Sequence, residues 1–488
     1  MDDGLGPLPV GQPRAGLVAE VMAVLAYLDV GATAVVACSG GPDSTALAHL
    51  AAEARPDLAL HLVHVRHGLR ADDHQDAEVV RLHGTWLDLP VRVLDVEVVA
   101  SGQGTEAAAR EARYAALRAV AREYGAVAIL VGHTAEDQAE TVLFRLARGT
   151  GLDGLGAMEA VRDDLVRPLL RLRRPDVHRF VELEGLPYVE DPTNRDPHVR
   201  RSIVRHRLLP LLEEVAPDPV AALVRIAGLL RADRAALDVA AAPGLAQVRT
   251  VGPVQAVPDR VLAGDGDLAS VALARRIVRA VLTRFTGEPP DAVSVARALS
   301  LEPGSAASLP GPVEVAAAGG WRAFAPRTLP RTPEVRIAVP GDTAWSSAGA
   351  MIRAVTPEAD RSASEPAGQV ALELPGIWAP PAADEDPALL PPGAIAERLV
   401  LALPAEVGEL TARHREPGDE VVTAGGTRSL QDVLVDAGVP RAIRELWPVI
   451  VRHDGRVLWV PGYAADDEVL RAGRRAPAGQ LRLEPATV

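Results

Sequence analysis

The run Ser39-Gly40-Gly41-Pro42-Asp43-Ser44 combines the residue types best suited in this chain to holding a phosphate. Two glycines let backbone amides approach an anion without Cβ interference, serine hydroxyls at both ends add donors, and a helix starting behind them aims its dipole at the same point. The chemistry this fits is the gripping of a pyrophosphate group. A Walker-type loop is excluded because it needs a lysine on the phosphates, and all 51 lysine-plus-arginine positions of the chain are arginine. The turn also lacks the spaced glycines and strand-end acid of a dinucleotide fold, which disfavours hydride chemistry.

A second concentration of chemistry is Gly132-His133-Thr134-Ala135-Glu136-Asp137-Gln138-Ala139-Glu140-Thr141. In a helix starting near Ala135, Glu136 and Glu140 stand one turn apart, and Asp137, Glu140 and Thr141 make a polar stripe. Acids this close to a phosphate site have two explanations: they hold Mg2+ against ATP oxygens, or they recognise and deprotonate a cationic amine. A capped helix with a solvated face is the plain alternative. His64-Val65-Arg66-His67-Gly68-Leu69-Arg70 gathers imidazole and guanidinium groups around a glycine turn, suited to a nucleotide or phosphate or simply to a solvated loop. Glu106, Arg110 and Tyr114 recur every four residues and share a helix face, with Arg113 offset toward the next.

These residues need strands to deliver them. Apolar runs over Ala34–Cys38, Ala59–Val65, Val91–Val98 and Val127–Val131 predict strands, and helical spacing predicts helices over Asp73–Leu87, Glu106–Glu123 and Glu136–Ala147. Such alternation is the sign of an α/β doubly wound parallel sheet, in which ligands bind at the carboxyl ends of the strands. Each motif above falls at such an end or on the helix that follows.

At 488 residues the chain is too long for one core. The spacing predicts a catalytic α/β domain over 1–215, a mostly helical domain over 216–327, a Pro/Ala/acid-rich linker over 328–398 and a small α+β domain over 399–488. Cys38 is the only cysteine, so there is neither a disulfide framework nor a cysteine metal cluster, and its place at a strand end reads as core. The absence of an apolar leader or a long apolar run predicts a soluble, cytoplasmic protein with no membrane partner. A net charge of −14 argues against a nucleic-acid partner only if it is evenly spread. It is not: Pro357 to Val400 holds eight acids against two arginines, whereas Arg195 to Arg207 holds five arginines against Asp196.

SGGPDS resembles the signature of N-type ATP pyrophosphatases, enzymes that cleave ATP between the α and β phosphates. The further order of HVRHGLR, the Glu106–Tyr114 helix, GHTAEDQAET, Arg145 to Leu152, Arg167-Pro168-Leu169-Leu170 and Asp191-Pro192-Thr193-Asn194 is similar to that of the tRNA(Ile)-lysidine synthetases. Arg415 to Asp419, Ser429 to Asp432, Val439-Pro440-Arg441 and Trp459-Val460-Pro461-Gly462 resemble that family's C-terminal domain. The resemblance implies that ATP, with Mg2+, adenylates the position-2 carbonyl oxygen of the wobble cytidine in a tRNA(Ile) with a CAU anticodon, and that free L-lysine displaces AMP. It implies ATP-binding roles for Ser39, Gly40, Gly41, Pro42, Asp43, Ser44, His67, Arg113, Gly132 and His133. Catalytic roles fall to Asp137, Asp43, Glu140 and Arg205, with Asp137 the first candidate to bind the amine and take its proton. Metal ligands are left unassigned, and a homodimer is compatible with the sequence. Arg148, the Arg171/Arg173/Arg174 cluster and the Arg195–Arg207 patch are candidates for tRNA phosphates. Serine at 202, where the family pattern commonly has asparagine, leaves that position without a role. Thiolation enzymes share the loop but need more cysteines than Cys38. Ammonia-using synthetases share it without needing a basic patch, and a non-catalytic tRNA-binding protein is the remaining alternative.

Overall fold

The structure is a computed structural model describing residues 6–66, 73–96, 105–190, 200–263, 267–338, 341–346, 350–355, 369–373, 398–402, 409–423, 425–461 and 463–467. The chain forms two compact units, 1–236 and 237–488.

The first unit is built on four parallel strands, β1 (Thr33–Ala37), β2 (Ala59–Arg66), β3 (Val91–Asp95) and β4 (Ala128–Leu130), in the order β3-β2-β1-β4. A short hairpin of β5 (Val161–Arg162) and β6 (Leu165–Val166) extends the sheet, with β6 parallel to β4 and β5 antiparallel to β6. The central residues of β1 are buried on both faces, which is why its sequence runs apolar without alternation. Val36, Leu62 and Leu130 face the helices α1 (Arg14–Leu25), α2 (Pro42–Ala54) and α7 (Arg174–Leu183), with Leu17, Leu47 and Phe180 in the same core. Val35, Val63 and Ile129 face α4 (Thr105–Glu123) through Tyr114, Leu117 and Val120. The helices α3 (Asp73–Leu87), α5 (Ala135–Ala147) and α6 (Leu152–Leu155) complete this part. Because β1 pairs with β2 on one side and β4 on the other, the chain order reverses between β1 and β4. Loops leaving the carboxyl ends of those two strands therefore diverge to opposite faces and leave a crevice.

Beyond α7 the chain re-enters helix at α8 (Arg200–Ile203), widens into a π turn over Val204–Leu208 and continues as α9 (Leu209–Glu213) and α10 (Pro219–Leu245).

The second unit contains the expected helices, Leu268–Thr286 and Ala292–Leu299, and adds a five-stranded antiparallel sheet between Arg249 and Pro326. Ile277, Val278 and Val281 pack against Val313, Val315 and Phe324 of that sheet. The strand Val313–Ala318 is half alanine, a residue depleted in strands, and so carries little β signal in its sequence. Within 328–398, read as linker, the structure describes strands Val335–Arg336, Gly341–Trp345, Ala350–Val355 and Gln369–Glu373. Trp345 and Ile352 from this stretch are wholly buried with Ile443, Trp447 and Trp459 in an α+β arrangement of antiparallel strands and two short helices, Leu430–Asp436 and Arg441–Leu446. Aromatic and β-branched residues dispersed among prolines and acids made those strands hard to see.

Candidate active site

The phosphate-suited loop sits between β1 and α2, at the crevice. Gly40 has φ of 85°, and a Cβ there would stand 3.2 Å from the Asp76 carbonyl oxygen, so only glycine suits the turn. The loop is clasped from within. Ser44 Oγ accepts from Ser39 N at 3.1 Å and donates to the Gly41 carbonyl at 3.0 Å, while Val189 N donates to Gly40 O at 2.9 Å. The Ser44 hydroxyl is thus a loop fastener rather than an open donor. Pro42 takes the first helical position, where a missing N–H costs nothing. Beneath lies Cys38, its thiol pushed up by burial, and the buried His64, whose Nδ1 is 2.9 Å from Cys38 O. Gly132, leaving β4, closes the other side: a Cβ there would stand 3.0 Å from Asp43 O. His67 lies outside the described residues.

Asp43 occupies the first turn of α2, its Oδ1 3.1 Å from His178 Nε2 and its Oδ2 3.7 Å from Arg174 Nε. Arg174 and His178 are four apart on α7 and turn one face to the loop. The N-terminus of α5 supplies the acids. Asp137 Oδ2 accepts from Thr134 N at 2.9 Å and Thr134 Oγ1 at 3.2 Å, capping the helix. Its Oδ1 meets Arg174 at 3.0 Å, Arg205 at 3.3 Å and Arg201 at 3.4 Å. Glu140 is fully buried, with Oε1 on Arg205 Nε at 2.6 Å and Arg174 at 3.4 Å, and Oε2 on Arg201 Nε at 3.0 Å. Arg201 and Arg205, four apart across α8 and the π turn, thus share the carboxylates of α5 with Arg174. Burial alone would raise the Asp137 carboxyl, but Arg174, Arg201 and the Thr134 amide hold it far below the usual carboxylate range. The His133 imidazole is pushed down to about 3 by burial, reinforced by the charges of Arg110, Arg167 and Arg201 against the pull of Asp137, so it is neutral at physiological pH.

Arg205 meets Asp137 and Glu140, two of the other residues expected to be catalytic. The Arg171/Arg173/Arg174 cluster does not stand open to tRNA phosphates, and that expectation is corrected. Arg171 donates to Gly6 O and pairs with Glu20, Arg173 pairs with Glu136 and Asp218 at 2.9 Å each, and Arg174 joins the acids of α5. Neighbours in sequence, they meet carboxylates from different elements. Arg113 lies on α4, its guanidinium 5.4 Å from the Tyr114 ring centre and lowered by burial. Glu136, Arg174, His178 and Arg201 were not picked out individually as active-site groups; the four-residue spacings of Arg174/His178 and Arg201/Arg205 were the available signal.

Residues 18–212 match the family model for the PP-loop domain, and residues 410–482 match the TilS substrate C-terminal domain. The chain is 35% identical over 483 residues to the tRNA(Ile)-lysidine synthase of Symbiobacterium thermophilum, covering 93% of this chain and 94% of that one. It belongs to the tRNA(Ile)-lysidine synthase family. The tRNA(Ile)-lysidine synthase of Thermobifida fusca is 46% identical over 238 residues, 48% of this chain and 72% of its own. Among solved structures the U34-tRNA thiolase NcsA from Methanococcus maripaludis aligns with a TM-score of 0.38 and 18% identity, covering 46% of this chain and 88% of that one. Family membership bears out the expected ATP-using PP-loop domain followed by a distinct C-terminal domain. In this lysidine synthase family member, no described helix is long and apolar enough to cross a membrane. Among the described residues no group of three or more His, Cys, Asp or Glu side chains could hold a metal ion.

Proposed function

We propose that this chain catalyses adenylation by ATP of the position-2 carbonyl oxygen of the wobble cytidine in a CAU-anticodon tRNA(Ile), followed by attack of free L-lysine to form lysidine. The observation that carries the reading is the convergence of the pyrophosphate loop with Asp43, Asp137 and Glu140 and with Arg174, Arg201 and Arg205 in one crevice. In the first step the carbonyl oxygen bonds to the α phosphorus and the bond to the β-phosphate oxygen breaks, sending pyrophosphate toward the loop amides and the arginines. In the second the lysine ammonium gives up one proton to solvent, the free amine bonds to the ring carbon, AMP leaves with the electrons of the carbon–oxygen bond, and the newly bonded nitrogen gives up a second proton to solvent.

Asp137 and Glu140 are saturated by guanidiniums, so a lysine ammonium cannot reach them without displacing an arginine. Incoming phosphates offer those arginines a better partner. ATP thereby frees the two carboxylates for the ammonium, which orders the substrates. Thr134 still donates two hydrogen bonds to the freed Asp137 and favours its ionised form, so Asp137 anchors the amine rather than drawing off its proton. Among the described residues Mg2+ has no cage built from protein alone, but it commonly binds through one carboxylate and substrate phosphates. Asp43, at the loop and only partly engaged, fits that single-carboxylate role, and the ion would shield the charge of the leaving pyrophosphate.

The reading places catalysis in 1–215 and tRNA holding in 399–488, with 216–327 and 328–398 between them, in a protein acting in the cytoplasm as one chain or a homodimer. Purified protein with ATP, Mg2+ and labelled lysine is expected to label an unmodified CAU-anticodon tRNA(Ile). Transfer of sulfur or ammonia in place of lysine, or no transfer at all, would sink the proposal.

A further inference from the structure

With the Arg171/Arg173/Arg174 cluster internally paired, the first unit needs another source of positive charge to hold RNA against the crevice. A band of guanidiniums on the α4 side of the sheet supplies it. Arg110 and Arg113 stand 4.9 and 5.4 Å from the centre of the Tyr114 ring, at the amino-terminal half of α4. Arg167 leaves β6 beside the end of β4, and Arg162 of β5 pairs across to Leu165, two residues before Arg167 and on its face. Among the described residues no carboxylate lies within ion-pair distance of Arg110, Arg113 or Arg167, and Arg162 has only the exposed Asp163 at 3.9 Å, a pair of little worth. The neighbouring acids are already matched, Asp164 to Arg118 at 2.7 Å and Glu159 to Arg234.

Arg167 is 5% exposed, donates from Nη1 to the Glu159 carbonyl at 2.8 Å, and has no acceptor for its buried Nε. A carbonyl oxygen orients a guanidinium without cancelling its charge. The buried Arg167 thus adds to the positive potential beside two exposed arginines, Arg110 and Arg162, which can meet a phosphate. Burial pushes the Arg167 guanidinium down, as do the charges of Arg110 and Arg162, against the pull of Tyr114 and Glu159.

We propose that Arg110, Arg162 and Arg167 form a phosphate track for the single-stranded RNA loop that carries the target nucleotide into the crevice. The inference rests on the tRNA-modifying reading of the same site. It requires only that RNA phosphates, not a protein or a membrane, are the ligand, because the guanidiniums are spread along a band and are not closed around one ion.

The test is equilibrium binding of a CAU-anticodon tRNA(Ile) transcript to the full chain over a range of NaCl, for wild type, Arg110→Gln, Arg162→Gln and the double variant. Both side chains are exposed, so an unchanged melting temperature is expected and serves as the folding control. Each substitution should weaken tRNA binding several-fold and reduce the slope of log affinity against log salt by about 0.7, with ATP affinity unchanged. Unchanged tRNA affinity and slope would overturn the track, as would a loss of ATP affinity with tRNA binding intact, which would make it a nucleotide site. If wild type binds the transcript with the predicted arginine dependence yet transfers no lysine, the track stands and the functional reading falls.

Discussion

Asp137 is ringed by Thr134 and three guanidiniums, and it stays ionised throughout the working pH range. Proton loss must then come from the amine's own equilibrium, with a free-amine fraction that rises tenfold per pH unit below about 10.4. At subsaturating lysine the transfer rate is expected to climb with a slope near one between about pH 6.5 and 8.5. A plateau with an apparent pKa near 5–6 that vanishes in Asp137→Asn would instead make this residue the base. At Asp43, replacement by Asn should cut pyrophosphate release by about a hundredfold while leaving tRNA binding unchanged in a filter-binding assay. Gly132→Ala pushes a methyl group to 3.0 Å from the Asp43 carbonyl and should raise the KM for ATP by displacing the start of α2, with little change in the KM for lysine.

The loop is steadied at the next scale by a link between helices. His49 Nε2 of α2 lies 3.0 Å from His83 Nδ1 of α3, and His83 Nε2 lies 2.8 Å from the carbonyl of Pro187, two residues before the Val189 amide that holds Gly40. Burial drives both imidazoles down, His49 to about 4, aided by the charges of His83 and Arg14. Because the folded pKa lies below the unfolded one near 6.5, this stabilisation is complete above pH 6.5 and lost as pH falls toward 4. The melting temperature is expected to drop over that window, and less so in His49→Gln, which keeps a hydrogen-bonding group that does not titrate. Strands β1, β2 and β4 and helices α2 to α5 were legible because apolar runs and helical spacing record burial directly. Arg174 and His178 were not: His178 meets Asp43 from 135 residues away, and pairing across such a distance leaves no local pattern. The alanine-rich strands near Ala317 were hidden for the opposite reason, since their composition suits a helix.

For the whole molecule, a net charge of −14 coexists with paired and unpaired arginines placed very differently. Affinity for tRNA should fall steeply with salt despite the negative total, because local phosphate contacts and not the sum set the dependence. Salt-independent binding would mean that recognition is not electrostatic. Lysine affinity is the second whole-protein observable: calorimetric titration should detect lysine binding only with a non-hydrolysable ATP analogue present. Equal affinity without nucleotide would show that the arginines do not guard the acids.

The all-arginine make-up of the chain bears on fidelity as well as on binding. An adenylated cytidine is an electrophile waiting for an amine, and a lysine side chain in the crevice wall would be a standing candidate to capture it. Guanidinium keeps its proton at any physiological pH. Arg174, Arg201 and Arg205 can therefore crowd an activated base without competing for it, and the protein cannot trap itself in a covalent cross-link to its own RNA through a lysine.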